Sequence, residues 1–232
     1  MSVMHPLDNV IWHALTTRQA QLGERHQAAC KFHKEVSLLA GLAEPGPGSY
    51  ASMASLLPAG ERVGLLIEEA VVAAGFELVS ASPVLQMVHE SRDAPAMAKD
   101  KPTPEFVALT ESDVLEMMAL AELTKPGPFS RRTRDMGDYF GLRVDGKLVA
   151  MAGERLRVPG HTEISAVCTH PDHLGRGYAA ALTTLLMNRI LDRGERPFLH
   201  VRQENTRAVA LYERLGFERR RPSQYVILQR LM

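Results

Sequence analysis

Apolar positions along the chain follow two different periods, and each change of period marks an element. Arg62–Ile67 (RVGLLI) and Phe76–Ser80 (FELVS) are short apolar-rich runs that predict strands, while Trp12–Gln27 and Tyr50–Leu57 have helical spacing. A strand over Glu105–Leu109 leads to a helix opened by Thr110, with Asp113 three residues on in the capping-box position. Pro126, Gly127 and Pro128 stop that helix. Asp145-Gly146, between Tyr139–Val144 and Lys147–Leu156, predicts a hairpin because both turn residues tolerate positive φ. A strand Thr162–Thr169, a helix Gly177–Arg193, a strand Pro197–Arg202, a helix Asn205–Arg214 and a strand Tyr225–Arg230 complete the order. The alternation predicts an α/β chain, a mixed sheet with flanking helices.

The pattern breaks at residues 91–104, a charged, proline-bearing stretch without apolar period, which reads as a linker. Residues 1–90 are then expected to form a smaller N-terminal α/β lobe, and residues 105–232 the principal domain. Lys plus Arg and Asp plus Glu both number 27, so no global basic field exists to hold nucleic acid or an anionic membrane. Cys30 and Cys168 lack any CxxC pairing, and His5, His13, His26 and His33 show no ligand spacing, so no metal is expected. The first ten residues have no basic region before an apolar run, and Glu68 and Glu69 interrupt the apolar stretch Val63–Phe76. The expectation is a cytoplasmic protein with no signal peptide and no membrane span.

Chemistry concentrates in His170–Leu182, HPDHLGRGYAAAL, where a strand end meets a glycine-rich turn and a helix start. Gly175 and Gly177 let a ligand approach the backbone, the free amides and dipole of the helix favour a pyrophosphate, and Arg176 adds a charge-assisted contact. A P-loop would need GK[ST], and a dinucleotide GxGxxG fails at Ala180. Taken by itself, the turn is equally explained as a tight strand-to-helix connection.

Together with Asn205–Phe217, NTRAVALYERLGF, this segment resembles the paired motifs of the GNAT acyl-CoA N-acyltransferase superfamily. The strand wording EISAVCTHP is nearest the branch that includes glycine N-acyltransferase-like proteins. The resemblance covers about the last 130 residues, and the N-terminal lobe can be read as a degenerate half of the same kind. One position departs from the (Q/R)xxGx(G/A) turn, since Leu174 stands where Arg or Gln is usual. The resemblance implies acetyl-CoA as acyl donor. Val167, Cys168 and Thr169 would offer backbone groups to the pantetheine arm. Leu174, Gly175, Arg176, Gly177, Tyr178, Ala179 and Ala180 would cradle the pyrophosphate. Asn205 would touch the pantetheine and Tyr212 would lie beside the thioester sulfur. Asn205 is also a good helix N-cap, and Tyr212 shares an apolar helix face with Ala208, Leu211 and Leu215.

Amine acylation requires a proton acceptor. Glu163 matches the glutamate of histone-type members, and His200 occupies the place of the base in ribosomal-protein alanine acetyltransferases. Both stay open, with Glu163 preferred. Cys168 is expected to share a strand face with Ile164 and Ala166 as a packed apolar residue rather than a nucleophile. The implied activity is transfer of an acetyl or other short acyl group to a primary amine, a small molecule or a protein N-terminus, by direct attack. The alternative is a non-catalytic acyl-CoA binding or sensing module.

Overall fold

Eight strands form one sheet in the order β4-β11-β5-β10-β9-β8-β7-β6, built from both halves of the chain. The structure is a computed structural model that describes residues 5–70, 73–93 and 105–232. In chain order the strands are β1 (Gly23–His26), β2 (Ala29–Phe32), β3 (Ala40–Leu42), β4 (Arg62–Ile67), β5 (Phe76–Val88), β6 (Val107–Ala108), β7 (Tyr139–Val144), β8 (Lys147–Val158), β9 (His161–Thr169), β10 (Arg196–Arg202) and β11 (Glu218–Arg230). The helices are α1 (Val10–Thr16), α2 (Pro47–Leu56), α3 (Val114–Thr124), α4 (Tyr178–Asp192) and α5 (Thr206–Arg214). Only β9 and β10 run parallel; the other paired neighbours in this sheet are antiparallel. The expected mixed sheet with flanking helices is therefore present.

The expected division into two lobes is not how the sheet is partitioned. β5 lies between β10 and β11, and β4 pairs with the far edge of β11, so a cut at residue 90 would split the ladder. Most of the anticipated linker, residues 94–104, lies outside the described residues. The reason is burial: Val84, Leu85, Met87 and Val88 of β5 are nearly solvent-free and need sheet neighbours on both edges. Residues Trp12–Gln27 form α1 and then β1 instead of one helix. There, β1, β2 and β3 make a separate antiparallel sheet that joins the large one through a Leu39–Gly64 bridge.

Two layers cover the sheet. Leu182, Leu186, Met187 and Ile190 of α4 and Val209 and Tyr212 of α5 pack on one face with Leu199 and Val201. The opposite face holds two clusters: α1, through Val10, Ile11, Ala14 and Leu15, meets Leu156, Val158 and Phe198, while Met117, Leu120 and Ala121 of α3 meet Met151 and Cys168. The alternation of Leu199 and Val201 with Phe198 and His200 along β10 assigns the two faces. No helix among the described residues is long and apolar enough to cross a membrane.

Candidate active site

β9 and β10 pair only over His161–Glu163 and Arg196–Phe198, then separate. From Ile164 onward the edge of β9 that faces β10 is released from the ladder, which leaves backbone groups for another partner. The far side of β9 is irregular at the same level. Met151 pairs with Cys168 and Gly153 with Ser165, so Ala166 and Val167 together oppose Ala152. This is a β-bulge, and within it Ala166 takes a left-handed φ of +53°, uncommon for a residue other than glycine. It also corrects the expected face sharing. Ile164 packs on the α4 side, whereas Ala166 and Cys168 pack on the α3 side, because the extra residue reverses the alternation.

A cavity of about 310 Å³ opens where the two strands part. Its wall includes the bulge and the strand end, Ala166 to Thr169, together with Asn205, Ala208 and Tyr212 of the α5 segment. Four of the anticipated residues, Val167, Cys168, Thr169 and Asn205, therefore meet Tyr212 at one place. The Thr169 hydroxyl is buried and has no hydrogen-bond partner among the described residues. The Asn205 carboxamide accepts a hydrogen bond from the Ala208 amide at 3.1 Å, so it caps α5 while lining the cavity. Tyr212 is buried, with its ring at 5.9 Å from Phe217 in an edge arrangement. Burial, with Cys168 nearby, pushes its hydroxyl up to about 12, so it keeps its proton at neutral pH.

The glycine turn stands beyond the end of β9. Leu174, Gly175, Arg176 and Gly177 are exposed, and Tyr178, Ala179 and Ala180 of the first turn of α4 are half-buried. Gly175 and Gly177 have φ of +77° and +82°, and no heavy atom lies within 4 Å of where their Cβ atoms would be. Open space above left-handed glycines and unbonded first-turn amides suits an anionic ligand. Both Asp and Asn tolerate this backbone conformation, so Gly177→Asp and Gly177→Asn should fold alike. The aspartate variant should lose coenzyme A binding through like-charge repulsion while the asparagine variant keeps a measurable part of it. Equal binding by calorimetry in the two variants would remove the pyrophosphate from this turn.

The two candidate bases are hydrogen-bonded to each other. Nδ1 of His200 lies 2.6 Å from Oε1 of Glu163. Glu163 has no solvent exposure and also accepts from Nε and Nη2 of Arg155, each at 2.7 Å, and from the Leu156 amide at 3.3 Å. A second ladder irregularity causes this crowding, since Arg155 and Leu156 together oppose Glu163. Burial alone would raise the Glu163 carboxyl, but Arg155 and His200 overcome it and hold the group down at about 2. Such a carboxylate is a weak base with its lone pairs already engaged.

The tautomer of His200 follows from its second neighbour. Gln86 is nearly fully buried; its Oε1 accepts from Nη1 of Arg220 at 2.8 Å and its Nε2 donates to the Leu7 carbonyl at 3.0 Å. That orientation turns an N–H towards Nε2 of His200, 3.1 Å away, so Nε2 carries the lone pair and Nδ1–H donates to Glu163. His200 lines the cavity; Glu163 lies behind it. Arg155, Gln86 and Tyr225 are functional candidates that sequence reading passes over. Arg155 had a usable signal, because the Pro159-Gly160 turn in the hairpin brings it opposite Glu163. Gln86 and Tyr225 had none, since each reaches the site only through strand order.

Residues 139–226 match the family model of FR47-like proteins. A crystal structure from Novosphingobium aromaticivorans, assigned to the GNAT family of acetyltransferases, is 37% identical with a TM-score of 0.88, covering 99% of this chain and 100% of that one. N-alpha-acetyltransferase RimI of Mycobacterium tuberculosis is 35% identical over 98 residues, 40% of this chain. The match spans 61% of the length of that curated relative. A GCN5-related N-acetyltransferase from Kribbella flavida, 20% identical with a TM-score of 0.59 over 94% of this chain and 95% of that one, shares the fold. Identity above a third along the full length of the Novosphingobium protein, joined to the bulged, parted strands found here, shows that this chain belongs to the GNAT family of acetyltransferases.

Proposed function

We propose that the protein transfers an acetyl group from acetyl-CoA to a primary amine by direct attack, with the parted ends of β9 and β10 receiving the pantetheine arm. The observation that carries this reading is the cavity itself, in which a bulged strand, an unpaired backbone edge and a buried tyrosine face one space. The pyrophosphate would sit on Leu174–Ala180, the pantetheine along Val167–Thr169 with Asn205 beside it, and the thioester at Tyr212. Kinship with the glycine N-acyltransferase-like branch rests on the EISAVCTHP strand alone. A cytoplasmic setting rests on the two widely separated cysteines, both unpaired and buried.

His200, with Glu163 behind it, is our choice for the base. The amine gives its proton to Nε2, exchanging the Gln86 contact for its own, and the Glu163 carboxylate stabilises the imidazolium that forms. The amine nitrogen bonds to the thioester carbon, and a backbone N–H at the Ala166–Val167 bulge holds the resulting oxyanion. Collapse breaks the carbon–sulfur bond, Tyr212 protonates the departing thiolate and regains a proton as the nitrogen sheds its second one, and the imidazolium returns its proton to solvent.

Release of free thiol from acetyl-CoA over a panel of amines tests the reading. Tyr212→Phe keeps the packing against Phe217 and removes the hydroxyl, so turnover should fall by about ten- to a thousand-fold while coenzyme binding persists. A purely structural hydroxyl predicts unchanged turnover and a loss of about 1 kcal/mol in stability instead. A protein that binds acetyl-CoA and releases no thiol with any amine is the acyl-CoA sensor of the alternative reading.

A further inference from the structure

Arg219, Arg220 and Arg221 follow one another near the start of β11, and each guanidinium takes its own direction. Arg219 donates to Glu213 of α5, and Arg221 to Glu68 and Asp8. The ladder pairs Arg219 with Met87 and Arg221 with Gln86 of β5, which leaves Arg220 out of register between them. An irregularity of this kind re-aims the side chain it carries. Nη1 of Arg220 donates to Oε1 of Gln86 at 2.8 Å, and Nη2 donates to Oδ1 of Asp8 at 2.6 Å. Asp8 belongs to the short turn Pro6–Asn9, which also supplies the Leu7 carbonyl that accepts from Nε2 of Gln86. One turn therefore holds both ends of a buried amide, one directly and one through Arg220, and none of Gln86, Arg220 and Asp8 lines the cavity.

A carboxamide has a donor at one end and an acceptor at the other, in nearly the same shape. With Oε1 engaged by Arg220, His200 meets the donor end. A reversed amide would set Oε1 against Nε2 of His200 and call for a proton there, while Glu163 takes the proton on Nδ1. A ring protonated on both nitrogens has no lone pair for the proton of an amine. The charged and titratable groups around the imidazole are Glu163 with Arg155 behind it, and Lys125, Arg202, Tyr212 and Tyr225 along the cavity wall. None of these selects the end of the amide, because among the described residues the Gln86 carboxamide bonds only to His200, Leu7 and Arg220.

We propose that Arg220, held by Asp8 and acting through Gln86, is a positioning residue for acetyl transfer: it keeps the accepting end of the Gln86 amide away from His200, so that Nε2 stays open to the proton of the amine. This rests on the transfer reading above, in which His200 is the base.

Ring-nitrogen NMR spectra of the ligand-free protein, with His200→Gln to assign the signal, read the protons directly. At a pH on the plateau of wild-type activity the ring should carry Nδ1–H alone in wild type and a second proton in a substantial share of Arg220→Met molecules. Thiol release from acetyl-CoA, with the fastest of butylamine, glycinamide and triglycine as acceptor, gives the pH dependence of kcat/KM. Arg220→Met should move its acid limb up by about one pH unit, the scale of one hydrogen bond to a charged group, or about ten-fold in rate below the limb. Asp8→Asn, which keeps an acceptor for the His5 amide, should move the limb less and in the same direction. Loss of a nearby positive charge acts in that direction too, so the deciding comparison uses Gln86→Met, where no amide is left to reverse. In that background Arg220→Met should move the limb far less. An equal move in both backgrounds, a rate lowered alike at every pH, or identical ring spectra in wild type and Arg220→Met would each overturn the proposal. If none of the three amines reacts, the ring spectra decide by themselves. A changed ring spectrum beside a His200→Gln variant of wild-type rate and profile upholds the hold of Arg220 on the ring and overturns His200 as the base.

Discussion

Replacing His200 with glutamine should lower turnover by about a hundred- to ten-thousand-fold, the usual worth of a general base. An ammonium is no nucleophile, so the amine must lose its proton before or during attack. His200 lines the cavity with its Nε2 lone pair held only by the neutral Gln86 amide, whereas Glu163 is held by the Arg155 guanidinium, the Leu156 amide and the imidazole. Glutamine retains a donor for Glu163 and the approximate volume, so the fold and the affinity for acetyl-CoA should persist. The diagnostic measurement is the pH dependence of kcat/KM. Wild type should lose activity on the acid side, as base-assisted attack requires, and the variant should lack that limb. A variant that keeps the wild-type profile and rate would show that amine deprotonation takes another route.

Glu163→Gln should cost stability first, with loss of activity following from it. Glu163 is the carboxylate paired with Arg155, it is fully buried while the arginine side chain keeps 12% exposure at the cavity, and removing one member of a buried pair typically costs about 3–5 kcal/mol because the other is left uncompensated. Against a total stability on the order of 5–15 kcal/mol for a natural domain, that loss should appear as a large fall in melting temperature. The pH dependence provides a second check. The Glu163 carboxyl sits at about 2 in the folded protein against an ordinary 4.5, so its contribution is complete above 4.5 and is lost as the pH falls towards 2. Thermal unfolding between pH 6 and pH 2 should therefore show a decline in wild type that is shallower in the variant. Equal melting temperatures at neutral pH would mean that the pair adds nothing to the fold.

Much of this molecule can be read from one strand or helix at a time. The Asp145-Gly146 hairpin, the Thr110–Asp113 capping box, the apolar stripe of α4 and the glycine turn before it are local, because each depends on residues fewer than about twenty positions apart. The pairing of HPDHLGRGYA with NTRAVALYERLGF likewise led to the GNAT family, to Tyr212 and to Asn205 as an N-cap that also lines the cavity.

Tertiary structure decided what depends on strand order and register. Inserting β5 between β10 and β11 brought Gln86 to His200 and Tyr225 to the cavity, contacts that span more than a hundred positions in one case and cross the supposed domain boundary. Two ladder irregularities set the chemistry, one turning Ala166–Val167 out of alternation and the other placing Arg155 and Leu156 on Glu163. Periodicity does not reveal the first, because β9 is packed on both faces and Ile164, Ala166 and Cys168 are apolar whichever face each takes. By itself, therefore, the amino-acid sequence determined most elements after residue 105, the glycine turn and the resemblance to the family. Which of Glu163 and His200 faces the cavity, and how firmly the lone pairs of each are held, was decided only when the sheet closed around them, since burial and neighbouring charge both come from tertiary packing.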